Sequence, residues 1–230
     1  MEYRTSVPTH GGIVMTLANF VPDFSVILQF AVAVFVIAIT PGPDMTLFVG
    51  RALSQGRAAG LACMTGAMTG IMIHTLLVSL GLSALIVASP QAFFVLKVAG
   101  AGYLIFLAVQ AIRTGSAFSP DAKPEKKRSF VRNWAMGLTI NLLNPKIVLF
   151  FMTFLPQFVT ASDPYAPQKL LFLGLLFIPL SLPVTVPMVL AADSFSAMLK
   201  RAPRIMRATD YLFAGVFSAF AFRILSASAK

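Results

Sequence analysis

Charged side chains and cysteines are scarce in this sequence, and each scarcity excludes a class of protein. Only 11% of the 230 residues are charged and 57% are hydrophobic, with a mean hydropathy of +0.83. Soluble domains contain about a quarter charged residues, so this chain requires lipid around it. Uncharged apolar stretches recur along the whole chain. We therefore predict an all-α integral membrane protein, rather than a soluble domain with one hydrophobic tail.

The residues that most enzymes need are also scarce. Cys63 is the single cysteine, which excludes an intrachain disulfide, a thiol relay and a thiolate metal cluster. His74 has no second histidine or acidic residue at metal-ligand spacing, and the sequence has no glycine-rich phosphate loop. We therefore expect no catalytic residue, no cofactor and no metal. A membrane-embedded redox or scaffold protein without transport activity stays open as the alternative to a transporter.

Six stretches are apolar enough to be candidate membrane spans, given that about 20 residues cross the hydrocarbon. They cover about 24–49, 60–88, 92–112, 134–158, 169–192 and 211–225. The sixth stretch is the weakest because it has only 15 residues and ends near Arg223. Five spans is the fallback prediction.

The basic residues are distributed unequally between the two sides of the predicted membrane. Twelve of them lie in the loops after spans one, three and five: Arg51, Arg57, Arg113, Lys123, Lys126, Lys127, Arg128, Arg132, Lys200, Arg201, Arg204 and Arg207. Five lie on the opposite side: Arg4, Lys97, Lys169, Arg223 and Lys230. Because cytoplasmic loops concentrate Lys and Arg, we predict that these three loops are cytoplasmic and that both termini are external. The formal charge of +10 then reflects topology and not nucleic-acid binding, although the basic cluster at 123–132 could also contact anionic lipids.

Proline-containing breaks occur at corresponding places in the two halves of the chain. Span one contains Thr40, Pro41, Gly42, Pro43 and Asp44, and span four contains Asn144, Pro145 and Lys146. With three spans in each half, the second half enters the membrane from the opposite side. We therefore predict six transmembrane helices as two inverted three-helix repeats with broken helices 1 and 4. The predicted segments are an external leader at 1–23, the first repeat at 24–112, a basic cytoplasmic loop at 113–133 and the second repeat at 134–230; Met15 is an alternative start.

Each break places a charged residue inside a predicted span. Proline removes an amide donor, and irregular backbone at membrane depth is tolerated only inside protein or beside a wet cavity. A charge there is costly and faces a partner, water or a substrate. Asp44 and Lys146 could form a structural ion pair or receive the two ends of a zwitterion, or Asp44 could lie at the surface near Arg51. Asp44 and, secondarily, Asp193 are the proton-coupling candidates, with an interfacial capping role as the alternative for Asp193.

Small residues recur in and just before the second span at intervals that allow close helix packing. They are Gly56, Gly60, Ala62, Gly66 and Gly70. Because small-xxx-small patterns let helix backbones approach one another, we interpret these residues as packing residues and not as part of a site.

Three sequence segments resemble the lysine exporter and homoserine/threonine resistance (LysE/RhtB) family of amino-acid exporters. They are TPGPDM at Thr40 to Met45, GAGYLIFLA at Gly100 to Ala108, and NPKIVLFFMTFLPQF at Asn144 to Phe158. The resemblance covers the chain from about residue 20 onward. It implies a six-helix exporter of small amino acids or derivatives that is driven by the proton gradient and acts as an oligomer. The family motif residues carry over as Pro41, Gly42, Pro43, Asp44, Asn144, Pro145 and Lys146.

The expected function is secondary active export of amino acids or similar small zwitterions, coupled to protons, with the substrate held between the broken helices. The predicted substrate site consists of Thr40, Pro41, Gly42, Pro43, Asp44, Asn144, Pro145 and Lys146. The expected partners are the amino-acid substrate, protons, membrane lipids and further copies of the chain, and not nucleic acid. We expect a multi-pass protein of the bacterial inner membrane with both termini external.

Overall fold

The computed structural model describes residues 20–114, 126, 128–160, 162–201 and 203–228. The helices are α1 (Phe24–Ile39), α2 (Pro43–Gln55), α3 (Arg57–Ala88), α4 (Pro90–Thr114), α5 (Phe130–Leu143), α6 (Pro145–Leu149), α7 (Ala166–Leu190), α8 (Ala192–Arg201) and α9 (Pro203–Ser228). A π-helical turn (Phe150–Phe154) and a 3-10 turn (Leu155–Phe158) continue α6. The described residues contain no strand, so the all-α prediction is confirmed. Most of the predicted leader and residues 115–125 of the basic loop lie outside the described residues.

Three helical segments are long and apolar enough to cross a membrane, namely Arg57–Gly81, Ala166–Leu190 and Arg204–Phe222. Two further pairs meet this criterion when each is taken as one bent span: α1 with α2, bent by 51°, and α5 with Pro145–Phe158, bent by 53°. The predicted breaks in spans one and four are therefore confirmed. If each bent pair counts as one span, the described residues contain up to five spans. The predicted third span, which lies in α4, is not among them. The six-span count and the inverted repeat remain predictions.

The structure corrects the boundaries of the last two predicted spans. The sixth stretch, expected at 211–225, is part of the 26-residue helix α9, which begins at Pro203. Arg204 and Arg207 are exposed near the start of this helix, where long basic side chains can reach out of an apolar layer. Helix α7, which contains most of the predicted fifth span at 169–192, ends at Leu190, and Asp193 lies in the first turn of the separate helix α8.

Helix α3 packs closely against α5 through two glycines that face backbone on the neighbouring helix. A Cβ atom at Gly66 would overlap the carbonyl oxygen of Trp134, and one at Gly137 would overlap that of Cys63. Gly60 and Gly70 likewise leave no room for a Cβ atom, so the packing role predicted for these small residues is confirmed. Gly56 differs because its φ of 96° ends α2, a conformation that favours glycine.

Two apolar clusters enclose the interior. The larger one is rich in aromatic rings from α1, the π-helical turn, α7 and α9: Phe30, Phe150, Phe151, Phe154, Phe177 and Phe217. The smaller one joins α2, α3 and α7 through Met45, Phe48, Cys63, Met64, Met188 and Val189. Residues of both clusters line the cavity described below, which therefore has an apolar wall on more than one helix.

Candidate functional site

The first break is produced by two prolines on either side of Gly42. Helix α1 ends at Thr40, whose backbone is extended (φ −75°, ψ 121°), and α2 begins with Pro43 at its first position. Because proline has no amide hydrogen, the last carbonyls of α1 lose partners that a continuous helix would supply. The amide and the hydroxyl of Thr40 both donate to the Val36 carbonyl, at 3.1 and 2.7 Å. The carbonyls of Ile37 and Thr40 remain for another donor.

The second break is built by Asn144 and Pro145. Asn144 is extended (φ −72°, ψ 109°), and its side-chain oxygen accepts from the Lys146 amide at 3.1 Å. Pro145 occupies the first position of α6, where its missing amide hydrogen costs nothing. These two residues therefore form the N-cap and first turn that orient Lys146.

The Lys146 side chain connects the two breaks. Its ammonium donates to the carbonyls of Thr40 at 2.7 Å and Ile37 at 3.0 Å. A cation at these carbonyls also complements the negative end of the α1 dipole. Gly42 permits this approach, because a Cβ atom there would lie 3.2 Å from the Lys146 nitrogen. Lys146 thus caps α1 from the other half of the chain.

Asp44 and Lys146 do not form a direct ion pair, although their charges interact at longer range. Both residues lie in the described part of the chain, and no nitrogen–oxygen distance between them is within 4.0 Å. The Asp44 Oδ2 atom instead accepts from the side-chain amide of Asn141 at 2.8 Å. The two charged groups are therefore not in direct contact, and both line the cavity described below.

Several buried polar atoms near the breaks have no hydrogen-bond partner among the described residues. They include Asp44 Oδ1, Asn141 Oδ1, Asn144 Nδ2 and His74 Nε2. Leaving a buried polar group unsatisfied costs about 1–3 kcal/mol, and native proteins avoid it. The Asn144 side chain also interacts with Asp44, and the unpaired atoms that remain around Asp44 can be satisfied by water or a polar ligand.

A cavity of about 70 Å³ lies beside Asp44 and Lys146. One water needs only about 10–15 Å³, so several molecules of that size fit. The polar lining consists of Thr40, Asp44, Asn141, Lys146, Ser181 and Thr185, and the remaining lining is apolar. Three residues of the predicted site, Thr40, Asp44 and Lys146, therefore meet at one cavity. Pro41, Gly42, Pro43, Asn144 and Pro145 shape the breaks but do not line it.

Some residues around the cavity were not identified from the sequence. Asn141, Ser181 and Thr185 come from α5 and α7, and their contribution depends on how these helices pack. Asp210 on α9 is only 3% exposed and interacts electrostatically with Lys146. The predicted sixth span began at residue 211, which left Asp210 in a loop. Asp193, the secondary proton-coupling candidate, is exposed and does not line the cavity.

These observations define a multi-pass helical membrane protein with a charged cavity beside two broken helices. The family model of the LysE type translocator matches residues 35–228. The chain belongs to this family.

Curated relatives include transport proteins. The homoserine/homoserine lactone efflux protein of Salmonella typhimurium strain LT2 is 30% identical over 181 residues, which cover 79% of this chain and 86% of that protein. The leucine efflux protein of Enterobacter sp. strain 638 is 26% identical over 205 residues, covering 86% of this chain and 93% of that protein. An uncharacterized membrane protein of Vibrio cholerae is 27% identical over 197 residues, which cover 85% of this chain and 94% of that protein. No solved structure matches the chain.

Proposed function

We propose that this protein is a secondary active exporter of amino acids or similar small zwitterions. The observation that carries the proposal is the cavity at the meeting of two broken helices, with a carboxylate and an ammonium that do not pair with each other directly. Relatives named for the efflux of homoserine and leucine support the same class of substrate. Capping of α1 explains Lys146 in a non-transporting protein, but it does not explain a carboxylate beside the same cavity, which is costly in an apolar layer.

In this proposal, the substrate lies between Asp44 and Lys146. Its ammonium group binds Asp44 Oδ1, which is buried and lacks a partner among the described residues. Its carboxylate receives the third N–H of Lys146, because an ammonium has three donors and two are used by the carbonyls of Ile37 and Thr40. The positive end of the α2 dipole at Pro43 adds to the attraction for the carboxylate. The remaining predicted residues shape the two breaks.

We further propose that protons compete with the substrate ammonium for Asp44. Protonation removes the negative charge that attracts the ammonium, so a proton that enters from outside releases the substrate there. Asp193 is the secondary candidate, but its exposed position in α8 favours Asp44. This exchange couples export to the proton gradient without any cofactor.

The proposed architecture has six spans in two inverted repeats, in the inner membrane of a bacterial cell and in contact with other copies of the chain. Both termini are external, as the asymmetry of twelve against five basic residues suggests. Reporter fusions after residues 114–132 should then read cytoplasmic, and fusions near Ser162 and at the C-terminus should read external. A cytoplasmic C-terminus would remove either the sixth span or this orientation.

Reconstitution tests the proposal directly. The purified protein in liposomes should exchange labelled amino acids and should concentrate them when a pH gradient is imposed. Vesicles carrying Asp44→Asn protein serve as the control, because the substitution keeps the side-chain size and removes the charge. If a panel of amino acids gives neither flux nor protection against thermal unfolding, the non-transporting alternative is correct instead.

A further inference from the structure

We propose that the substrate carries an uncharged apolar side chain, of the leucine or methionine type, and that four methionines of the cavity wall select it. This inference rests on the proposed function, in which Asp44 and Lys146 hold the amino and carboxyl groups. The methionine wall consists of Met45 on α2, Met64 and Met68 on α3, and Met188 on α7.

The described cavity lining has one negative and one positive residue, which match the α-ammonium and the α-carboxylate of an amino acid. No further charged residue of this described lining remains to neutralise a charged side chain. Asp44 and Lys146 are the two charged residues among the described residues of the lining. If they bind the α-ammonium and the α-carboxylate, a lysine or arginine substrate would need a second carboxylate, and a glutamate would need a second cation. An uncompensated charge in such a site is strongly unfavourable. The cavity therefore disfavours substrates with charged side chains.

The hydroxyl groups of the lining have little to offer a polar side chain. Thr40, Ser181 and Thr185 donate their hydroxyl protons to carbonyls of their own helices, at 2.7, 2.9 and 3.1 Å respectively. The side-chain amide of Asn141 donates to Asp44. A substrate hydroxyl or amide could donate to acceptors such as Asn141 Oδ1 but would find few donors, so it would replace only part of its hydrogen bonding to water. Most of the lining is apolar, so an apolar side chain gains more from burial here than a polar one.

The methionine wall supplies an apolar surface that can adjust to side chains of different shape. Met45, Met64 and Met188 are buried in one cluster, and Met68 packs against it. Met64 and Met68 lie one helical turn apart, so both project from one face of α3. Methionine side chains are flexible and polarizable, which suits a site for several aliphatic side chains. Phe48 extends the same apolar lining.

Competition measurements in proteoliposomes test this inference. Unlabelled leucine, methionine, homoserine, lysine and glutamate are compared as inhibitors of labelled leucine counterflow, alongside their protection against thermal unfolding. Leucine and methionine should compete at least about tenfold more strongly than homoserine, lysine or glutamate, since small differences in an apolar pocket give about 10- to 200-fold discrimination. Preference for homoserine or for a charged amino acid would overturn the inference and leave the proposed exporter intact. The absence of flux and protection with every amino acid would instead contradict the proposed function.

A matched pair of substitutions on α3 locates the selectivity. Met68→Gln keeps the side-chain length but adds a polar amide to the cavity, so the preference for leucine over homoserine should fall by about tenfold. Met72→Gln is the control, because Met72 lies one turn further along α3, is 47% exposed and does not line the cavity. An unchanged preference in folded Met68→Gln protein would show that the methionine wall is not the selective element. If Met68→Gln protein does not fold, the comparison of amino acids with the unmodified protein still decides the substrate class.

Discussion

The ammonium of Lys146 donates to the carbonyl oxygen of Thr40 at 2.7 Å, so the second broken helix holds the break in the first. Thr40 ends α1, where Pro41 and Pro43 deprive the carbonyls of helical partners. A lysine from the other half of the chain supplies the missing donor. One side chain thus stabilises the break and places a positive charge beside the cavity that contains Asp44.

This bond predicts the result of a double-mutant experiment. Lys146→Gln removes two hydrogen bonds from a charged donor, each contributing about 1.5–3 kcal/mol, so stability and transport should both fall. Asp44→Asn should abolish tight substrate binding with a smaller loss of stability. The double variant should recover no transport, because the bonds lost with Lys146 are to carbonyls and not to Asp44.

Thermal unfolding with and without substrate, together with flux, should be measured for both single variants and the double variant. Lys169→Gln is the control for substrate binding and flux, because Lys169 pairs with Asp163 outside the cavity and its loss should lower stability without affecting transport. Recovery of transport in the double variant would mean that Asp44 and Lys146 form a structural ion pair, and the substrate site would have to be assigned elsewhere.

A second prediction separates the candidate carboxylates for proton coupling. Asp44→Asn should abolish accumulation driven by a pH gradient, because the carboxamide neither exchanges a proton nor attracts the substrate ammonium, so the residual flux should no longer depend on pH. Asp193→Asn should leave accumulation unchanged, since Asp193 is exposed in α8 and away from the cavity lining. Flux should be followed across a range of external pH in both variants and in Asp210→Asn. An unchanged pH dependence in both Asp44→Asn and Asp193→Asn would show that neither carboxylate couples protons, and a change in Asp210→Asn alone would transfer this role to Asp210.

The positions of the two breaks could be predicted from the sequence because they depend on local chemistry. Proline cannot donate a backbone hydrogen bond wherever it lies, so Pro41, Pro43 and Pro145 mark breaks without knowledge of the fold. Asp44 and Lys146 were identified for a similar reason, since a charge inside an apolar stretch needs a partner. The role of Lys146 as a cap on α1 was not predicted, because the bond joins residues 106 positions apart.

The rest of the site depends on how the helices pack, which local patterns do not determine. Asn141 resembles any polar residue of an amphipathic helix until α5 is packed against α2 and α3. Asp210 was missed because Arg204 and Arg207 lower the local hydropathy, which moved the predicted start of the last span past it. The helix can include those arginines because their side chains are exposed.

A third prediction concerns the contact between α3 and α5. Gly66→Ala should destabilise the protein by about 1–3 kcal/mol or more, because the new methyl group overlaps the Trp134 carbonyl, which is backbone and cannot rotate away. Gly50→Ala is the matched control, since no atom lies within 4 Å of the added methyl group and alanine favours a helix. Melting temperatures in detergent should be compared. Equal stability of the two variants would contradict close packing at Gly66.

The last prediction concerns Asp163, which lies between Phe158 and the start of α7. Its side chain accepts from the Tyr165 amide at 2.9 Å and forms a 2.6 Å ion pair with Lys169. Partial burial opposes ionisation, but the hydrogen bonds from Lys169 and Tyr165 and the charge of Lys169 together hold the pKa of Asp163 below its usual range. A carboxyl group with a lowered pKa stabilises the folded state above its unfolded pKa of about 3.9, and this stabilisation is lost as the pH falls through the folded pKa.

Asp163→Ala should therefore lower stability at pH 7 by about 1 kcal/mol, as the loss of an intramolecular hydrogen bond typically does. The difference from the unmodified protein should shrink as the pH falls below about 4. Asp163→Asn keeps an oxygen for the Tyr165 amide but removes the charge, so its loss should be smaller. Asp23→Ala is the control, because Asp23 precedes α1 without a side-chain capping bond. Fluorescence of Trp134, the single tryptophan, can report unfolding in all four proteins. A loss of stability in Asp163→Ala that is equal at pH 3 and pH 7 would show that the ionised form of Asp163 does not stabilise this turn.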